Sequence, residues 1–171
     1  MATPFTRRQL MATAAGAAIV APFAPAFAME DGATHEVQML NKHPEDRKQA
    51  QVFFPRVISV NAGDKVLFKS VDRGHNSASI DGMLPEGAEE WDSRINDDIE
   101  VTFDTPGFYG YQCTPHASTG MVGLIVVEGE GKLDNLEEAQ SKRHRGRARK
   151  IWEDVWAEAE EMGLLEETPA A

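Results

Sequence analysis

The chain contains one cysteine, Cys113, in 171 residues. A single cysteine excludes an internal disulfide, so packing has to hold the fold. It also excludes the multi-thiolate ligand sets of most structural zinc sites. Long apolar runs are missing as well. Residues 10–20 are apolar and alanine-rich, but the stretch is too short to span a bilayer, and Pro22 and Pro25 follow it. No Gly-rich phosphate loop or Ser-His-acid pattern stands out. The acids Glu86, Glu89, Glu90 and Asp92 lack calcium-loop spacing and read as a solvated face. Positive charge is scarce, with 17 Lys and Arg against 28 Asp and Glu. That balance argues against a general nucleic-acid binder, which needs a cationic surface.

What is present begins with an export pattern. Arg7 and Arg8 precede the apolar run, and Ala26-Phe27-Ala28 supplies a small-x-small cleavage site. Residues 1–28 are therefore expected to be a cleaved export signal ending near Ala28, with the paired arginines suggesting the twin-arginine route. The remaining 15 basic and 28 acidic residues give a formal charge of −13. Roughly 143 residues suit one domain with its own core.

Residues 29–128 read as a two-sheet β-sandwich. Short alternating or apolar runs recur at 35–40, 52–54, 57–60, 65–68, 99–103, 108–112 and 121–127, separated by turn signals such as Asn61-Ala62-Gly63-Asp64 and Thr105-Pro106-Gly107. Residues 82–96 read as a long excursion with at most one helical turn. Residues 129–171 read as a helical extension packed on the sandwich. A short helix is predicted over 134–140, capped by Asp134. A longer one is predicted over 147–164, burying a stripe of Ile151, Val155, Trp156, Ala159 and Met162. Its basic start and acidic middle oppose the helix dipole, so it has to lean on packing.

The lone thiol lies in Cys113-Thr114-Pro115-His116-Ala117-Ser118-Thr119-Gly120-Met121, and a second imidazole lies upstream in Gly74-His75-Asn76. Each side chain has an ordinary alternative. A cysteine is often a small buried hydrophobe, a methionine often core, and a histidine often a solvated or satisfied residue. Together, one thiolate, two imidazoles and a thioether form the donor set that suits both Cu(II) and Cu(I). His75, Cys113, His116 and Met121 are thus the candidate metal ligands. Pro115 withholds a backbone donor near the sulfur, and Gly120 permits a bend before Met121. Asn76 is placed to tie the two ligand-bearing loops together. His35, His43 and His144 have no such setting and are expected to be solvated. A copper carrier or store is the alternative class, but such a site would be open and rich in Met or His. A copper enzyme would need an open coordination position, which four protein ligands do not leave.

These residues resemble the cupredoxins, most closely the pseudoazurins. Similar segments are 37–42 (VQMLNK), 71–76 (VDRGHN), 83–89 (MLPEGAE) and Pro106-Gly107-Phe108-Tyr109, and the likeness covers about residues 35–162. The resemblance implies a mainly β Greek-key sandwich with a C-terminal pair of α-helices. It implies one type-1 copper ion per chain and periplasmic single-electron transfer by a monomer, with no catalysis. Transient partners such as copper nitrite reductase or c-type cytochromes follow from it too. Some positions depart from the family. Gln51 and Thr119 stand where methionines are common, and Ala117 replaces a frequent aromatic. Asp81, Asp92 and Gln112 stand where lysines usually form a basic ring, of which Lys42, Arg73 and Arg94 keep part. The departures predict weaker steering of an acidic partner. An apolar docking patch of Pro115, Ala117, Met83 and Met121 is expected around His116.

Overall fold

The computed structural model describes residues 32–167. The expected export signal, residues 1–28, lies outside the described residues. The strands are β1 (Thr34–Lys42), β2 (Ala50–Phe54), β3 (Val57–Asn61), β4 (Asp64–Lys69), β5 (Ala78–Ser79), β6 (Ile99–Phe103), β7 (Gly107–Gln112) and β8 (Val122–Glu128). A 3-10 turn, Thr114–Thr119, links β7 to β8, and two helices follow, α1 (Leu136–Ser141) and α2 (Ala148–Glu161).

Two four-stranded sheets form, in the orders β2-β1-β4-β6 and β3-β8-β7-β5. The pairs β1–β4 and β3–β8 are parallel, and the other neighbours are antiparallel. The chain changes sheet between β2 and β3, at Pro55, whose peptide bond to Phe54 is cis. The sandwich is the predicted Greek-key fold with its two helices. Among the described residues no helix is long and apolar enough to cross a membrane.

Two cores explain why β8 is apolar on both faces. Ile125 and Val127 point into the inter-sheet core with Val37, Met39, Phe53, Phe68 and Phe103. Leu124 and Val126 point outward, under Trp152, Val155 and Ala159 of α2. Period-two alternation thus serves a core on each side, and the helices replace solvent as the outer layer.

The excursion over 82–96 carries no described helix. Its anchor is Trp91, buried in the inter-sheet core with its ring stacked 5.7 Å from that of Phe68. Its indole N–H donates to Ser77 Oγ at 2.9 Å. Asp92 forms a bridge with Ala78, in the two-residue strand β5 that the sequence pattern did not reveal.

The helices are displaced from their predicted bounds. Asn135, not Asp134, occupies the N-cap position of α1, without a side-chain capping bond. The Asn135 side chain instead closes both free backbone groups of Phe108, accepting from its N–H at 2.9 Å and donating to its C=O at 2.8 Å. The buried stripe of α2 is Ala148, Trp152, Val155 and Ala159, while Met162, placed on the stripe by the sequence pattern, is 48 % exposed. Met162 is the C-cap of α2 and keeps helical dihedrals (φ −79°, ψ −4°), so its exposure marks where the helix ends beyond the surface that it packs on.

Candidate metal centre

The centre sits at one end of the sandwich, where three loops converge. Gly74, in the left-handed region (φ 98°), turns the chain after β4 and leads into His75, which is fully buried. The Asn96 side chain accepts from the Gly74 N–H at 2.6 Å, and the Asn96 N–H donates to the His75 carbonyl at 2.8 Å, fixing this loop at two points. His75 Nε2 lies 3.0 Å from Asn41 Oδ1. A carboxamide oxygen only accepts, so Nε2 carries the proton and Nδ1 keeps a free lone pair.

Cys113 leaves the end of β7, and the 3-10 turn returns the chain within six residues. The Cys113 N–H donates to Met121 O (3.0 Å), the His116 N–H to Cys113 O (3.0 Å) and the Met121 N–H to His116 O (3.2 Å). Gly120 closes the turn at φ 99°, a conformation strained for other residues. Asn76 joins this loop to the His75 loop as expected. Its Oδ1 accepts from the Thr114 N–H at 2.8 Å and its Nδ2 lies 3.0 Å from Thr114 Oγ1.

The three donors face one another. Cys113 Sγ lies 3.4 Å from His116 Nδ1 and 3.8 Å from His75 Nδ1, and the two nitrogens are 3.2 Å apart. The point equidistant from three atoms so spaced lies about 2.0 Å from each, the range of metal–nitrogen and metal–thiolate bonds (roughly 2.0–2.3 Å). The residues present therefore fit a small metal ion held by two nitrogens and one sulfur. Met121 is fully buried beside Cys113 in the core, hydrogen-bonded through its backbone to both Cys113 and His116. Burial, and then the neighbouring His116, lower the pKa of His75, which keeps that ring neutral. Burial pushes the Cys113 thiol up, so an ion that takes this sulfur displaces a proton. Of the four candidates only His116 is not buried, so its ring edge is the route to the surface.

The chain matches the family described as copper binding proteins, plastocyanin/azurin family, over residues 38–128. It belongs to that family. Pseudoazurin of Paracoccus pantotrophus is 43 % identical over 136 residues, covering 80 % of this chain and 88 % of that protein. Pseudoazurin of Methylorubrum extorquens is 38 % identical over 151 residues, covering 88 % and 96 %. The solved pseudoazurin of Sinorhizobium meliloti superposes with a TM-score of 0.69 at 42 % identity, covering 75 % of this chain and 97 % of that one. The protein is thus a pseudoazurin-like cupredoxin, a blue-copper electron-transfer protein rather than an enzyme.

Several expectations need correction. Met83 and Met121 do not form a surface patch around His116, because both are fully buried. Met83 instead fills the outer core above Gly110, where a Cβ would meet its Cε at 2.6 Å. Pro115 is exposed and Ala117 partly so, which leaves a smaller apolar rim. The three histidines expected to be solvated are each engaged. His35 Nε2 lies 3.0 Å from Asp64 Oδ2. His43 Nδ1 accepts from the backbone N–H of Glu45 and Asp46, and its ring meets the Phe54 edge at 5.0 Å. His144 stacks on Trp152 at 4.8 Å, and burial lowers its pKa. Asn41 as the partner of His75 escaped the sequence reading, since nothing near it in the chain marks a pairing made across β1 and β4.

Proposed function

We propose that His75, Cys113 and His116 would hold one type-1 copper ion, with the Met121 thioether as a fourth, weaker donor, and that the chain shuttles single electrons in the periplasm. The donor triangle of Cys113 Sγ and the two Nδ1 atoms carries this reading. A copper ion held by these residues would supply a reversible one-electron change. The chain's own residues limit rearrangement between the two valences. Asn41 orients the His75 ring, Asn76 locks the two loops, and the buried Cys113 and Met121 side chains are packed in the inter-sheet core. Among the described residues, His116 is the one candidate ligand that is not buried, which leaves its side open to a partner. Redox proteins such as copper nitrite reductase or a c-type cytochrome fit the role of transient partners to a monomeric shuttle. A short-lived complex suits a small contact area around one ring edge.

We also propose residues 1–28 as an export signal cleaved near Ala28, residues 29–128 as the copper-bearing sandwich and 129–171 as its helical extension. The test of the site is the absorption spectrum of copper-loaded protein. A strong sulfur-to-copper band, bleached by ascorbate and missing from Cys113→Ser, is expected. A band that persists in Cys113→Ser overturns the ligand assignment. Ready loss of copper to a mild chelator would favour a carrier instead.

A further inference from the structure

Six of the fifteen Lys and Arg that follow residue 28 fall within nine positions, 142–150. Like charges so close repel one another, and a chain with 28 Asp and Glu has acids enough to neutralise them. It does so only in part. Lys142 lies 3.7 Å from Asp81 and Lys150 lies 3.5 Å from Asp154. Arg143, Arg145, Arg147 and Arg149 are exposed and form no ion pair among the described residues.

The fold sets this segment against the ligand loop. The Arg147 N–H donates to Ser118 O at 3.0 Å. Gly146, at φ 63°, approaches so closely that a Cβ there would lie 2.7 Å from Ser118 O. Ser118 is two residues from His116. A cleft of about 400 Å3 runs between Ala117–Ser118 and Lys142–Arg145. Lys142 also faces Asp81, one of the acids that stand where the family has its basic ring.

We propose that the α1–α2 connector, residues 142–147, together with Ala117 and Ser118, is a docking surface for an acidic patch on the redox partner, displaced to one side of His116. This rests on the electron-transfer reading above and names the surface that reading lacks. Guanidinium groups pair with carboxylates in two-pronged fashion, and Arg143 and Arg145, which line the cleft beside Ala117–Ser118 without ion pairs, both attract and orient a carboxylate-rich face. Screening limits that attraction to about 10 Å at 0.1 M salt, so a surface adjoining the exit ligand matters where a distant one would not. The expectation of weak steering, drawn from Asp81, Asp92 and Gln112, is thereby revised. The ring is thinned, but positive charge is concentrated on the α2 flank.

The test uses copper-loaded protein and two anionic probes. Arg143→Glu/Arg145→Glu is compared with Lys65→Glu/Lys69→Glu, an equal charge change on the other sheet, away from α2. Oxidation of the reduced protein by hexacyanoferrate(III), which takes one electron and becomes hexacyanoferrate(II), should slow about tenfold in the connector variant at low salt and within about twofold in the control. In the reduced wild type, redox-inert hexacyanocobaltate(III) should shift the backbone amide resonances of 117–118 and 142–147. Equal slowing in both variants, or amide shifts confined to Lys42, Arg73 and Arg94, would overturn the surface while leaving the charge-transfer band intact. Absence of the band and of reversible one-electron reduction would instead sink the electron-transfer reading. Binding of wild-type protein to phosphatidylglycerol vesicles, lost in the connector variant, would overturn the protein partner in favour of a lipid surface.

Discussion

Asn76 illustrates how much one side chain can decide. It is 3 % exposed, and its amide joins the two loops that carry His75 and Cys113. Asn76→Ala leaves the Thr114 N–H without its acceptor and should cost about 1–3 kcal/mol, read from urea unfolding of the metal-free protein. The same variant should broaden the charge-transfer band of the copper form, because the loops are then free to shift relative to each other. Asp64 shows a different dependence. The Asn61 N–H first, and then the His35 side chain, hold its carboxyl below the usual value, and the Ala33 N–H adds to them at 2.8 Å. A carboxyl whose folded pKa is depressed stabilises the fold above its unfolded pKa, about 3.9, and that contribution fades as pH falls through the lower folded value. Asp64→Asn should therefore lower Tm at neutral pH, and its deficit should shrink below roughly pH 4. A deficit unchanged from pH 7 to pH 2 would contradict this account.

At the level of elements, the C-terminal helices are the outer wall of β7 and β8 and belong to the fold. Trp152 is 2 % exposed and sits in the outer core with Phe108 and Leu124. Trp152→Ala should cost about 3–5 kcal/mol in unfolding free energy. Asn135→Ala should cost about 1–3 kcal/mol, since it strands both backbone groups of Phe108 on the side of β7 that β5 does not cover. The ligand loop also depends on a helix. Gly120 lies where a Cβ would meet Ile151 Cγ1 at 2.6 Å, and Arg147 binds Ser118 O. Helix α2 therefore braces the 3-10 turn from outside while Cys113 and Met121 hold it from inside. The predicted stripe shares Val155 and Ala159 with the buried one and lacks Ala148 and Trp152, because Trp156 and Ile151, both partly buried, are as apolar as Trp152. Periodicity narrows the buried arc, and only the surface it packs against chooses between adjacent positions.

For the molecule as a whole, charge is divided unevenly. A formal charge of −11 coexists with a run of arginines that meets the candidate ligand loop where the Arg147 N–H donates to Ser118 O. Transfer to an acidic partner should therefore weaken as salt rises despite the negative total, because approach is governed by the local field near the contact. Measuring the bimolecular rate between about 10 and 300 mM salt checks this, and a rate that rises with salt would contradict it.

The sequence by itself determined seven of the eight strands among the described residues, the candidate donor types and the loop that carries three of those candidates. Alternation, turn residues and the Cys-x2-His-x4-Met spacing are local, and local signals survive in one dimension. It did not determine the Asn41–His75 contact, the burial of Met83, the place of Trp91 or the nearness of the arginines to Ser118. Those are contacts between residues about 25 to 35 positions or more apart, or choices between equally apolar neighbours, and only the packing of two sheets and two helices against one another settled them.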